Sequence, residues 1–412
     1  MPVPSSVARS STALLLLALV ACGQPGTRTD AGVAAVDAGP PFVAAPGQWS
    51  WIPVEGSQCA SGATAGFGVN PSTTSDAVLI FLQGGGACWN SGTCAPSLVQ
   101  FGPICSYGNV CLYDGQGGTQ PTASHVNEAD PFPEDGGGDF PGELAALQSM
   151  RALDRADPSN PFRDATFVYV PYCTGDLHDG QTTQTYSVQR NLGDPVTQTT
   201  IHFAGATNMA LFLRKLHVTL PQTRQVWLTG SSAGGYGATL NLERTRREFS
   251  EARVDLLADS SPFLPTVHWA DWRAAWDLSL PEGCADCDAG LPQVMAHLTQ
   301  AYPDTRFGLL ARDQDAVIAW YFYGAPGLND VLNPPVGAYG SALTALEGSQ
   351  DATANAKYFV VAGSEHVLWP GYGARLPDGG YSAPLSSNDG GTNLKAWIDA
   401  WATGASGWES TR

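Results

Sequence analysis

The chain has very little positive charge. It contains only three lysines (Lys215, Lys357 and Lys395), and lysine plus arginine number 20 against 38 aspartates and glutamates, a formal charge of −18. Such a surface repels polyanions at long range, which counts against nucleic acid as a partner and makes neutral esters easier substrates than heavily charged polysaccharides. A membrane-spanning run is also lacking. The apolar stretch STALLLLALVACG after Arg9 is shorter than the roughly 20 apolar residues a bilayer demands and suits the core of an export signal. There is no internal repeat and no His-Glu-x-x-His ligand set, so no metal or organic cofactor is expected.

What is present begins with that export signal. It ends in Leu19-Val20-Ala21-Cys22, which resembles a bacterial lipobox. The resemblance implies cleavage before Cys22 and lipid attachment to its thiol, hence a membrane partner and an address in the cell envelope, or secretion if the anchor is absent. Residues 22–48 are rich in Gly, Ala, Pro and Asp. They cannot bury enough surface to fold and read as a tether. The boundaries expected are therefore 1–21 signal, 22–48 tether and 49–412 folded domain. With 43% hydrophobic residues, that domain can build a large core.

Setting Cys22 aside leaves eight of the nine cysteines, an even number that suits disulfides in an exported protein. Local pairing predicts Cys88 with Cys94, Cys105 with Cys111 and Cys284 with Cys287, leaving Cys59 with Cys173 as a long-range staple. The spacing of Cys284 and Cys287 also admits a zinc site, but a second matching pair is missing.

Five short apolar runs, DAVLIFL (76–82), ATFVYVPY (165–172), RQVWLTG (224–230), VDLLADS (254–260) and KYFVVAG (357–363), are continuous rather than alternating. TRFGLLA (305–311) is a weaker sixth. Continuous runs of this kind belong to parallel strands covered on both faces. Helical patterns separate them, in residues 201–217, 235–252, 313–324 and 394–404. The alternation predicts a doubly wound α/β fold. Residues 86–140, loop-rich and carrying four cysteines, read as an insertion pinned by disulfides over one end of the sheet.

Between the strand QVWL and a helix lies Gly230-Ser231-Ser232-Ala233-Gly234. This fits G-x-S-x-G, in which a nucleophilic serine sits on a strained strand-to-helix turn and the flanking glycines avoid clashes. The pattern centres on Ser232. A serine hydroxyl needs a base, and in this architecture the acid and then the histidine follow the serine. His366, just after a late strand in GSEHVLW, suits the base better than His297, which lies in an ordinary helix pattern. The acid is Asp313 or Asp315, both just beyond the weak strand, and one of the pair is expected to cap the helix that follows. Glu365 adjoins His366 but is set aside, because adjacent side chains rarely face each other. The glycine run in FLQGGGACWN offers backbone N–H donors at Gly85 or Gly86, and Ala233 offers another after the nucleophile.

The segments LQGGGACWN, VPYCTGDLHDG, FAGATNMALFL, LTGSSAGGYGA and LADSSPF occur in that order. Together they resemble the pectin acetylesterase and Notum carboxylesterase family over roughly residues 49–405. The resemblance implies an α/β-hydrolase fold, a mostly parallel sheet flanked by helices, and serine-dependent ester hydrolysis. It implies Ser232, Asp315 and His366 as the triad and Gly85, Gly86 and Ala233 as oxyanion donors. It also supports pairing Cys88 with Cys94 and Cys173 with an early cysteine. Plant members carry tryptophan directly after the glycine run, where this chain has Ala87. Trp269, Trp272 and Trp276 are expected either to line a pocket or to fill the core. The substrate expected is an acyl ester, acetate first, on a carbohydrate or small alcohol. A longer acyl chain, or a carbohydrate-binding surface without turnover, is the alternative.

Overall fold

The computed structural model describes Met1 and residues 39–94, 147–188, 195–325, 330, 332–386 and 392–412. The signal, most of the tether, Cys22, Cys105, Cys111 and most of the expected insertion lie outside the described residues.

Eight strands form the main sheet: β1 (Ser50–Pro53), β2 (Gly66–Asn70), β3 (Ala77–Leu82), β4 (Thr166–Val170), β7 (Gln225–Ser231), β8 (Arg253–Asp259), β9 (Phe307–Arg312) and β10 (Ala356–Val361). Their spatial order is β1-β2-β4-β3-β7-β8-β9-β10. The two pairings that involve β2 are antiparallel, and every other pairing is parallel. This is the α/β-hydrolase class of architecture. A separate hairpin pairs β5 (Thr182–Val188) with β6 (Thr197–Phe203).

Coverage on both faces explains why the central strands are continuously apolar. In β3, Val78, Ile80 and Leu82 enter one core with Val168, Val226 and Leu228. Leu79 and Phe81 enter the other with Phe167, Tyr169, Leu257 and Phe359. The first face is closed partly by α1 (Gly205–Thr219), which contributes Met209, Phe212 and Leu216. The second is closed by α8 (Leu394–Thr403), which contributes Trp397 and Trp401.

Strand expectations and strand positions agree closely for the six parallel runs, and helix boundaries shift more. Residues 201–203 belong to β6, so the first helix begins at Gly205. The pattern after the serine turn divides into α2 (Ala233–Leu240) and α3 (Leu242–Glu248). The break falls at Asn241, whose Nδ2 donates to the His178 carbonyl at 2.9 Å and so ties that point to another loop. The remaining helices are α4 (Trp269–Trp276), α5 (Leu291–Ala301), α6 (Ala316–Tyr323) and α7 (Val336–Asp351). The packed chain also reaches back before Trp49: Phe42 lies edge-on to Phe67, and its N–H donates to Thr219 Oγ1.

Three disulfides staple the described residues: Cys59–Cys173, Cys88–Cys94 and Cys284–Cys287. The Cys284–Cys287 bridge occupies the pair whose spacing also admitted zinc.

Candidate active site

The residues singled out in the sequence gather at the carboxyl ends of neighbouring strands, where open α/β sheets present their ligand sites. Ser232 follows β7, Asp315 follows β9 and His366 follows β10.

Ser232 has φ 56° and ψ −127°, a conformation that costs a non-glycine residue strain. The surroundings hold it there. Its N–H donates to the Asp259 carbonyl at 2.8 Å, and its carbonyl accepts from Ser261 Oγ at 2.7 Å. Helix α2 begins at the next residue, so the Ala233 N–H has no intrahelical acceptor and the positive end of the helix faces the serine. The flanking glycines are steric necessities. A Cβ on Gly230 would lie 2.7 Å from the Leu82 carbonyl oxygen, and one on Gly234 would collide with that same oxygen.

His366 Nδ1 lies 2.8 Å from Asp315 Oδ2. The carboxylate accepts, so Nδ1 carries the proton. Asp315 is fully buried, and its other oxygen accepts from the Val317 and Ile318 N–H groups at 3.0 Å each. One aspartate therefore both caps α6 and holds the imidazole, where the sequence left a division of labour between Asp313 and Asp315. Asp313 turns instead to the backbone and accepts from the Gly363 N–H at 3.0 Å, bracing the loop that leads to His366. Glu365 points away to Arg312, 3.6 Å distant.

Burial alone would lower the basicity of His366. The charge and hydrogen bond of Asp315, with the charge of Asp259, more than offset it and leave the imidazole above its ordinary value. Its Nε2 is buried and has no hydrogen-bond partner among the described residues.

The glycine run passes directly over the serine turn: a Cβ on Gly84 would sit 2.8 Å from the Ser232 Cβ. Gly86, at φ 81°, abuts the Tyr321 hydroxyl, which accepts the Ala87 N–H. Tyr321 and Trp89 are buried, with ring centroids 6.2 Å apart, and Trp89 leads on to Trp272 and Trp276. Trp272 and Trp276 are buried in the core. Sequence reasoning missed Tyr321 and Asp259. Tyr321 sits within an apolar helix pattern, and Asp259 ends an apolar strand.

The strained serine at the centre of a doubly covered parallel sheet, with the Asp–His pair on the following loops, is set in an α/β-hydrolase fold. The comparisons narrow the class. The family model described as Pectinacetylesterase matches residues 146–275. Palmitoleoyl-protein carboxylesterase notum2 of Xenopus laevis is 26% identical over 216 residues, 51% of this chain and 35% of that protein. Palmitoleoyl-protein carboxylesterase NOTUM of Schmidtea mediterranea is 26% identical over 199 residues, 47% of this chain and 29% of that protein. The chain thus spans about a third of the length of these relatives. The structure of the Wnt deacylase Notum from Drosophila superposes with a TM-score of 0.51 at 18% identity, covering 88% of this chain and 95% of that one. This chain is thus similar to the Pectinacetylesterase model over residues 146–275 and to the Notum carboxylesterases over about half of its own length.

Proposed function

We propose that the protein is an exported serine carboxylesterase with Ser232 as nucleophile, His366 as base and Asp315 as its orienting acid. One observation carries the reading. A serine held at φ 56° shares the sheet's carboxyl edge with a partly buried imidazole whose Nδ1 is fixed by a carboxylate and whose Nε2 has no partner among the described residues.

The chemistry follows from that arrangement. Nε2 takes the Ser232 proton as Oγ bonds to the ester carbonyl carbon. The N–H groups of Gly85, Gly86 and Ala233 receive the oxyanion. As it collapses, the bond to the alcohol breaks and His366 returns the proton to the leaving oxygen. Water then loses a proton to His366 and attacks the acyl carbon. Ser232 departs as the hydroxyl and the carboxylic acid is released. The cycle uses no metal or organic cofactor.

The substrate proposed is an acetyl ester on a carbohydrate. The Pectinacetylesterase match supports it. The names of the curated relatives favour a second reading, removal of a longer acyl chain by the same machinery. Lipid attachment at Cys22 would hold the enzyme at the envelope surface, and the disulfides suit that oxidising compartment.

Hydrolysis of p-nitrophenyl acetate, butyrate, octanoate and palmitate by the parent and Ser232→Ala tests this. The variant is expected to lose at least about a hundredfold in kcat, and the best chain length separates the two substrate readings. If the folded proteins hydrolyse the esters equally, or neither does, a non-catalytic carbohydrate-binding surface takes the place of the esterase.

A further inference from the structure

The carboxyl edge of the sheet holds a second buried carboxylate that the triad does not use. Asp259 ends β8 and is 1% exposed. Its carboxylate accepts from the Ser231 hydroxyl at 2.8 Å, the Leu368 N–H at 2.8 Å and the Trp369 N–H at 2.9 Å. Its own carbonyl accepts the Ser232 N–H. The adjoining Ser260, at φ 51°, accepts the Val367 N–H on its Oγ at 3.0 Å, and Val367 is itself left-handed at φ 60°. Three consecutive N–H groups after His366 are thus fastened to residues 259 and 260, and Asp259 is in turn fastened to the serine turn.

We propose that Asp259 is a positioning residue that clamps the turn carrying His366 to the turn carrying Ser232 and places a second negative charge on the imidazolium. The role rests on the triad reading above. A buried carboxylate is costly unless something answers its charge; the Leu368 and Trp369 N–H groups and the Ser231 hydroxyl answer that of Asp259 first, and His366 adds its attraction. Around the imidazole stand Asp315 from the N-terminus of α6 and Asp259 from the end of β8. Glu365 on its own loop is paired with Arg312, and Asp313 is bonded to the Gly363 N–H. The acidic dissociation of Asp259 is itself pushed up, chiefly by burial and against the pull of its three donors and of His366.

Asp259→Asn keeps the side-chain size and one acceptor but removes the charge. Two measurements read it on the whole protein. Kinetics with p-nitrophenyl acetate should show kcat down at least about tenfold with KM held within about twofold. NMR titration of the His366 imidazole, assigned with His366→Gln, should show its value falling by about half a unit or more. The titration needs no turnover, so it separates the clamp from the esterase reading. An inactive parent whose imidazole still responds to Asp259 sinks the esterase and keeps the charge coupling. A folded variant with unchanged titration and with kcat within about twofold of the parent overturns the proposal. If Asp259→Asn does not fold, Ser231→Ala removes the side-chain hydrogen bond to the serine strand, leaves the backbone ties and keeps the charge. It should lower kcat by about threefold or more at constant KM, and an unchanged kcat then overturns the clamp.

Discussion

Asp315 performs two tasks that substitution can separate. Asparagine caps a helix about as well as aspartate, so Asp315→Asn should keep α6 and the melting behaviour of the parent. It removes the charge that fixes the imidazole tautomer, and esterase kcat should fall by about 10⁴, as such replacements do in serine hydrolases. Asp315→Ala should show the same kinetic loss and, by calorimetry or denaturant titration, a further loss of about 1 kcal/mol of stability from the missing cap. An Asp315→Asn variant that keeps near-parent kcat would remove Asp315 from the mechanism. The parent's pH profile carries a matching sign. The base must be neutral, and His366 lies above its ordinary value of about 6.5, so the acid limb of kcat/KM should lie above that pH. At the residue scale the sequence discloses Ser232 through the small residues its turn demands and His366 through its place after a late strand. It cannot choose between Asp313 and Asp315, because both stand beyond the same strand and only the direction of each side chain decides. Asp259 is hidden for another reason. It closes an apolar run and works through backbone N–H groups, which leave no mark on sequence.

The elements meet most tightly where β7 turns into α2 against the end of β3. Gly234 is surrounded by the Leu82 carbonyl group and the Gln83 carbonyl oxygen. Gly234→Ala therefore has to separate strands that the parallel register holds together at Leu82 and Gly230. Overpacking of this kind costs about 1–3 kcal/mol or more. Chemical denaturation should show that loss, and esterase activity should fall further than stability, because the serine turn itself is displaced. A variant with parent-like midpoint and activity would mean that the turn tolerates a Cβ and that its glycines are not steric necessities. Legibility at this scale follows burial. The parallel strands are readable because both faces of each are covered, which makes them continuously apolar. Strands β1 and β2 escape notice because the edge they form is short and holds Pro53, Gly66 and Gly68. The β5–β6 hairpin escapes because it is largely threonine and glutamine.

Across the whole molecule, the segment PYCTGDLHDG binds distant parts together through a buried polar centre. Cys173 is bridged to Cys59. Asp176 accepts from Thr174 Oγ1 and the Gly205 N–H. Asp179 meets Arg244 at 3.3 Å and accepts the Ser279 N–H. His178 Nε2 contacts the Gln83 carbonyl at 2.8 Å. Burial dominates all three groups. It raises Asp176 to about 6 and Asp179 to about 7, in the latter against the pull of Arg244, and it lowers His178 to about 4. A carboxyl whose folded value is raised contributes stability that is complete below the unfolded value of about 3.9 and is lost as pH rises through the folded one. His178 acts oppositely, contributing stability above about 6.5 that is lost as pH falls. The two effects compete below about pH 6.5, whereas above it only the carboxylates remain in play. His366, raised as well, weakens the fold in the same direction as pH climbs. The formal charge of −18 also opposes further deprotonation. The denaturant midpoint should therefore fall between about pH 6 and pH 8. Asp179→Asn, which leaves no charge to bury at that position, should flatten much of the slope. A parent midpoint constant over that range would mean that these carboxylates are already ionised in the fold. A slope that persists unchanged in Asp179→Asn would assign it to surface charge and to His366, leaving the buried centre with a purely geometric role.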